Sequence, residues 1–137
     1  MAKPDPNRVG VIEIGITVAD LDRCSAFYQD VIGLEYLCDL RVGGSLIRRF
    51  AHRDAIVKLW QDDEAPRLAN PPHGYAGRAA GLRYFTLQID DVRETVRRCT
   101  TAGVNIPTPL TEFRPGVPFA VVEDPEGNWL ELIETPR

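Results

Sequence analysis

The sequence predicts an α+β fold built from two copies of one strand–helix–strands module, and three observations predict it. A capped helix with a glycine stop occurs twice: Asp20 precedes the first and Gly33 ends it, Asp91 precedes the second and Gly103 ends it. The caps lie 71 residues apart and the stops 70, a spacing too regular for unrelated segments. In both halves one strand-like run precedes the helix and three extended segments follow it.

The first module covers 9–61. Val9 to Val18 reads as a strand in which Ile12, Ile14, Ile16 and Val18 form an apolar face opposite Glu13, Gly15 and Thr17. Asp20 is an N-cap for a helix from Leu21 to Ile32, where Leu21, Cys24, Phe27, Tyr28 and Val31 recur at helical spacing. Extended segments at 34–41, 46–51 and 55–61 complete it. Residues 62–80 carry Pro66, Pro71, Pro72, Gly74 and Gly77 without periodicity, the mark of a linker, a lid or an interface segment. The second module, 81–134, repeats the order: a strand from Leu82 to Ile89, a capping box of Asp91 and Glu94, a helix with Val92, Val96 and Cys99 on one face, and extended segments at 104–110, 118–123 and 129–134. Asp124-Pro-Glu-Gly-Asn128 supplies turn chemistry before the last strand. The 137 residues form one domain rather than two.

Composition excludes several functions. Net charge is −4 and the pI is near 5.2, and the pairs Arg48-Arg49 and Arg97-Arg98 sit among acidic residues, so nucleic acid is not an expected partner. Neither a signal peptide nor a membrane span is read in the chain. Three cysteines without CxxC spacing suit a reducing cytoplasm.

Period-two alternation gives each module a second face. Glu13, Gly15 and Thr17 share one in the first strand, Ile56, Lys58 and Trp60 in the fourth, Tyr84, Thr86 and Gln88 in the fifth, and Trp129, Glu131 and Ile133 in the last. If all four look into one concavity, its lining of tryptophans, tyrosine, hydroxyls, an amide, two carboxylates and an ammonium describes a ligand site rather than a core.

Ile14-Gly-Ile-Thr-Val-Ala-Asp-Leu-Asp-Arg-Cys-Ser-Ala-Phe-Tyr28 with Ile32-Gly-Leu34, Ile89-Asp-Asp91 with Ala102-Gly-Val104, and Asp124-Pro-Glu-Gly-Asn128 with Leu130-Glu-Leu132 resemble the vicinal oxygen chelate superfamily. That superfamily contains glyoxalases, bleomycin-resistance proteins and extradiol dioxygenases. The resemblance spans nearly the whole chain and implies paired βαβββ modules in a glyoxalase-like, cup-shaped sheet with helices outside. It implies a small-molecule ligand and a homodimer, with 62–80 as a candidate contact. One scaffold serves many chemistries, so it does not name the reaction.

The family's four metal-ligand positions, usually His or Gln, Glu, His and Glu, carry over to Glu13, Lys58, Tyr84 and Glu131. A protonated lysine cannot ligate, and a tyrosine with a pKa near ~10 is a poor neutral ligand, so no metal cofactor is expected. In its place Lys58 between Glu13 and Glu131 would supply the charge. Glu131 or Glu13 would then act as base with Lys58 or Tyr84 stabilising an enolate, or the three would form a structural ion-pair network. Trp60, Trp129, Thr17, Thr86, Gln88, Ile56 and Arg114 are candidate ligand contacts; the two tryptophans could equally be core or interface residues. His52 and His73 read as solvated surface groups, His73 with a further reading as a lid contact. Cys24 and Cys99 read as core. The expected function is a cytoplasmic, metal-independent isomerase, epimerase or lyase. The alternatives are a ligand-sequestering binding protein and a metal-dependent glyoxalase or dioxygenase using Glu13 and Glu131.

Overall fold

In the computed structural model, residues 10–71 and 79–134 are described, together with residues 2, 3 and 5. The strands are β1 (Ile12–Thr17), β2 (Glu35–Val42), β3 (Ser45–His52), β4 (Ala55–Gln61), β5 (Phe85–Gln88), β6 (Thr108–Arg114), β7 (Val117–Glu123) and β8 (Trp129–Ile133). Helix α1 (Leu21–Ala26) continues as a π-helical turn over Phe27–Ile32, and α2 spans Val92–Thr101. Each module is a βαβββ unit with a four-stranded mixed sheet, in the order β1-β4-β3-β2 or β5-β8-β7-β6.

The caps explain where the helices begin and end. The Asp20 side chain accepts from the Arg23 N–H at 3.0 Å and Asp91 from the Glu94 N–H at 2.9 Å, each satisfying an otherwise unpaired amide of the first turn. Gly33 and Gly103 adopt φ of +96° and +73°, the left-handed stop that side chains resist. The π turn is the departure from expectation: the Gly33 N–H reaches back five residues to the Tyr28 carbonyl, at 3.1 Å.

Strand limits follow pairing. Gly10 and Val11 are not strand because Ile12 already faces Ala55, where β4 begins, and Val11 and Ile12 are exposed; Val9 lies outside the described residues. The fifth strand is likewise shorter than the alternation predicts. Only Phe85–Gln88 find partners on β8, which leaves Leu82 exposed and Tyr84 just ahead of the strand. The sixth strand starts four residues later than expected, at Thr108, because Val104 and Asn105 serve the helix end and β7: the Val104 N–H bonds Cys99 O and Asn105 O accepts from Glu123 N–H, both at 2.9 Å. Arg114 closes this strand, and Pro115–Gly116 form the turn that follows it.

One hydrophobic cluster joins both modules. Cys24, Phe27 and Tyr28 from the first helix and Cys99 from α2 meet Phe50, Val57 and Leu59 of one sheet and Leu87, Val122, Leu130 and Leu132 of the other. Cys24 and Cys99 are fully buried, as core packing requires. Tyr28 adds a polar strut between the modules. Its hydroxyl donates to the buried Asp124 carboxylate at 2.6 Å, and that carboxylate also accepts from the Glu126 N–H, the Asn128 N–H and the Asn128 side chain at 2.8–2.9 Å. The Asp124–Asn128 turn, which aims β8, is thus anchored to the first module.

Candidate functional site

The faces turned away from this core carry the candidate residues. In the first sheet the parallel register sets Gly15 against Lys58, Glu13 against Ile56 and Thr17 against Trp60, while β3 sets Arg49 against Lys58 and Ile47 against Trp60. Val57 and Leu59 are buried in the core, so Ile56, Lys58 and Trp60 face the other way. In the second sheet Thr86 lies opposite Glu131 and Gln88 opposite Ile133, while Leu130 and Leu132 are buried. The repeat offset of 71 that carries Gly15 to Thr86 makes the pair Gly15–Lys58 the counterpart of the pair Thr86–Glu131. An ammonium in one module answers a carboxylate in the other.

β1 and β5 are the edge strands that border the seam between the modules, and a cavity of about 150 Å³ lies in it. Ile14, Gly15 and Ile16 form one wall, and Leu82, Tyr84, Phe85, Asn128 and Trp129 the other. The volume is that of a slot for a single benzene-like ring. Farther along the same seam a wider groove is lined by Gly10 to Ile12, His52 to Ala55, Thr86 and Gln88. The predicted site residues are therefore divided: Tyr84, expected to stabilise an enolate, and Trp129 border the slot, Thr86 and Gln88 border the groove, and Glu13, Thr17, Ile56, Lys58, Trp60 and Glu131 belong to the lining of neither. Arg114 ends the edge strand β6, is exposed, and borders neither.

The charged groups pair differently from the expectation of one Glu–Lys–Glu cluster. Glu13 is bonded by Arg49, Nη2 to Oε1 at 2.9 Å, and Arg49 also reaches Cys38 Sγ at 3.7 Å. The hydrogen bond to Glu13 holds the Arg49 guanidinium more firmly protonated than usual. Lys58 has no ion-pair partner among the described residues. Its chain lies along the bare backbone of Gly15, with Cε 3.6 Å from where a Cβ would stand. Glu131 is half-buried and accepts from Thr86 Oγ1 at 3.2 Å. Trp60 is fastened by its indole N–H to Asp62 at 2.6 Å; Asp62 also accepts from Ser45, and both bonds depress the Asp62 pKa.

Sequence reasoning missed Arg49 because it weighed Arg48-Arg49 as one pair of charges. The two point to opposite faces of β3, and alternation already holds that signal. Arg48 turns toward the helix, bonding Asp39 through both carboxylate oxygens at 2.9 and 3.0 Å and reaching Asp22 and Ser25. His52 is a correction as well. It is half-buried rather than solvated, with Nε2 2.8 Å from Gln88 O, because the β3–β4 turn packs against the end of β5; burial lowers its pKa. His73 lies outside the described residues. Among the described residues no group of three or more His, Cys, Asp or Glu side chains is arranged to hold a metal ion.

With this geometry in place, the family model of the Glyoxalase/Bleomycin resistance protein/Dioxygenase superfamily matches residues 10–132. The chain belongs to that superfamily. Among solved structures it is similar to a glyoxalase family protein from Bacillus cereus (TM-score 0.81, 19% identity, covering 98% of this chain and 97% of that one). It is also similar to the trypanothione-dependent glyoxalase I of Leishmania major (TM-score 0.68, 22% identity, 90% and 85% covered) and to TioX from Micromonospora sp. ML1 (TM-score 0.65, 22% identity, 92% and 98% covered). At these identities the likeness establishes the fold. No curated protein sequence matches. No helix among the described residues is long and apolar enough to cross a membrane.

Proposed function

We propose that the slot between β1 and β5 seats the ring of a small aromatic or carbonyl-bearing molecule without a divalent metal, and that the ligand's polar end reaches out of the slot past Gly15 onto the face carrying Lys58 and Glu131, where Glu131 moves a proton on it while Lys58 stabilises the charge that develops. One observation carries this reading: a ring-sized apolar slot with Trp129 and Tyr84 on its wall is flanked at Gly15 by a lysine that has no ion-pair partner among the described residues. The donor set does not fit a dication. Of the positions implied by family resemblance, Glu13 is engaged by Arg49, Lys58 brings a positive charge, and Tyr84 is a phenol. Lys58 instead supplies the local positive charge that would offset an enolate oxygen.

The Glu13–Arg49 pair also favours a second reading. It occupies one of the two candidate bases, as a binding cup that sequesters its ligand unchanged would allow. A homodimer is part of the proposal, supported by Tyr36, Leu37, Leu40 and Val42 exposed along the edge strand β2. Work in a reducing cytoplasm is proposed on the three free cysteines.

The test uses chelator-dialysed protein. Benzoate is titrated by NMR, and loss to solvent of deuterium from C3 of labelled phenylpyruvate, the carbon next to its ketone, is followed with the native protein and Glu131→Gln. Binding that survives chelation, with deuterium loss abolished in Glu131→Gln, is the expected result. Binding without deuterium loss selects the sequestering reading. About one divalent metal per chain, retained through dialysis and lost in Glu131→Ala, would overturn the metal-free site.

A further inference from the structure

Gly15 sits in the middle of β1, and nothing in the fold explains a glycine there. Its backbone lies outside the left-handed region, so no turn demands it. Packing does not demand it either, because among the described residues an added Cβ would meet only the flexible Lys58 chain, at an ordinary contact distance of 3.6 Å. Glycine inside a strand weakens it and often marks the close approach of a ligand or another backbone. Among the described residues no strand pairs with β1 on the β5 side; the slot lies there instead, and Gly15 lines it. The equivalent position in the second module is Thr86, which keeps a side chain and uses it to hold Glu131. The duplicated modules have thus diverged at one pair of sites: one completes a hydrogen bond, and the other leaves bare backbone beside an ammonium.

Resting on the reading of the slot as a small-molecule site, we infer that Gly15 determines its specificity: it admits a single flat ring against β1, with an oxygen acceptor of that ligand, carboxylate or carbonyl, directed to Lys58. A side chain at position 15 would compete with the ligand for the same space. The wall of Tyr84, Phe85 and Trp129 offers aromatic surface to the ring, and about 150 Å³ leaves no room for a second one inside the slot.

The experiment titrates benzoate, benzamide and benzylamine into the native protein, Gly15→Ala, Gly15→Val and Lys58→Met, reading amide and indole shifts by NMR and Tm by calorimetry. Expected are benzoate-induced shifts centred on the Gly15 amide and the Trp129 indole, and an affinity at least tenfold weaker in Gly15→Val at unchanged or higher Tm. Gly15→Ala should be intermediate, and Lys58→Met should lose the preference for benzoate over benzylamine. Unchanged benzoate affinity in folded Gly15→Val sinks this inference and leaves the proposed site standing. Should Gly15→Val not fold, Gly15→Ala and the native shift map decide: full affinity in Gly15→Ala, or shifts that bypass Gly15, overturn it. Native protein that binds none of the three probes overturns both readings.

Discussion

Tyr28→Phe tests whether the site is held from outside the cup. The substitution keeps the ring and deletes one hydroxyl, the donor in a 2.6 Å bond to Asp124, where donor and acceptor are both buried. A buried hydrogen bond to a charged group contributes about 1.5–3 kcal/mol. Unfolding entropy scales with length at roughly 2 cal/mol/K per residue, so in a chain of this size the loss lowers Tm by about 5–10 °C. The effect should depend on pH with a definite sign. Burial first, and the Asp124 charge second, raise the Tyr28 pKa well above 10. Below about pH 10 the phenol is neutral in both folded and unfolded chains, and its bond contributes fully. Above it the unfolded chain loses the proton first and gains stability. The gap between native protein and Tyr28→Phe must therefore narrow as pH rises past 10. Burial also raises Cys24 to about 12 and Cys99 to about 11, but both thiols are present in either protein and largely cancel in the difference. Urea titrations from pH 7 to 11 measure it. Equal stability of the two proteins at pH 7, or a gap that widens with pH, refutes the strut.

Two further outcomes follow from the charge pairing and the exposed edge. Glu13→Gln combined with Arg49→Met should be non-additive in urea-denaturation cycles, whereas Glu13→Gln combined with Lys58→Met should add; the reverse pattern would restore the Glu–Lys–Glu cluster. Light scattering at micromolar concentration should give twice the chain mass, and Leu40→Lys with Val42→Lys on β2 should reduce it; a monomer in the unsubstituted protein contradicts the proposed dimer.

How much of this was legible in the sequence depends on the range of the interaction involved. Helix caps and glycine stops are local, and Asp20, Asp91, Gly33 and Gly103 were read in place. The facing of Lys58 and Glu131 follows from alternation alone, and it survives a shift in strand ends because a strand keeps its parity wherever it begins. Strand ends themselves were misplaced at β1, β5 and β6, since they are set by where the partner starts, a non-local fact. The charge pairing was misjudged for the same reason. Lys58 and Arg49 are cross-strand neighbours on the same face, and which of them takes Glu13 depends on reach across the sheet rather than on any motif. The division of the seam into a slot and a groove is further still from the sequence, because it arises where the edges of two sheets from different modules come together. Gly15 joins these scales. Its place on the ligand face was readable, but its meaning needed the three-dimensional fact that no strand, core or turn requires a glycine there. A residue that costs strand stability and earns nothing from the fold is best explained by what the open seam is there to receive.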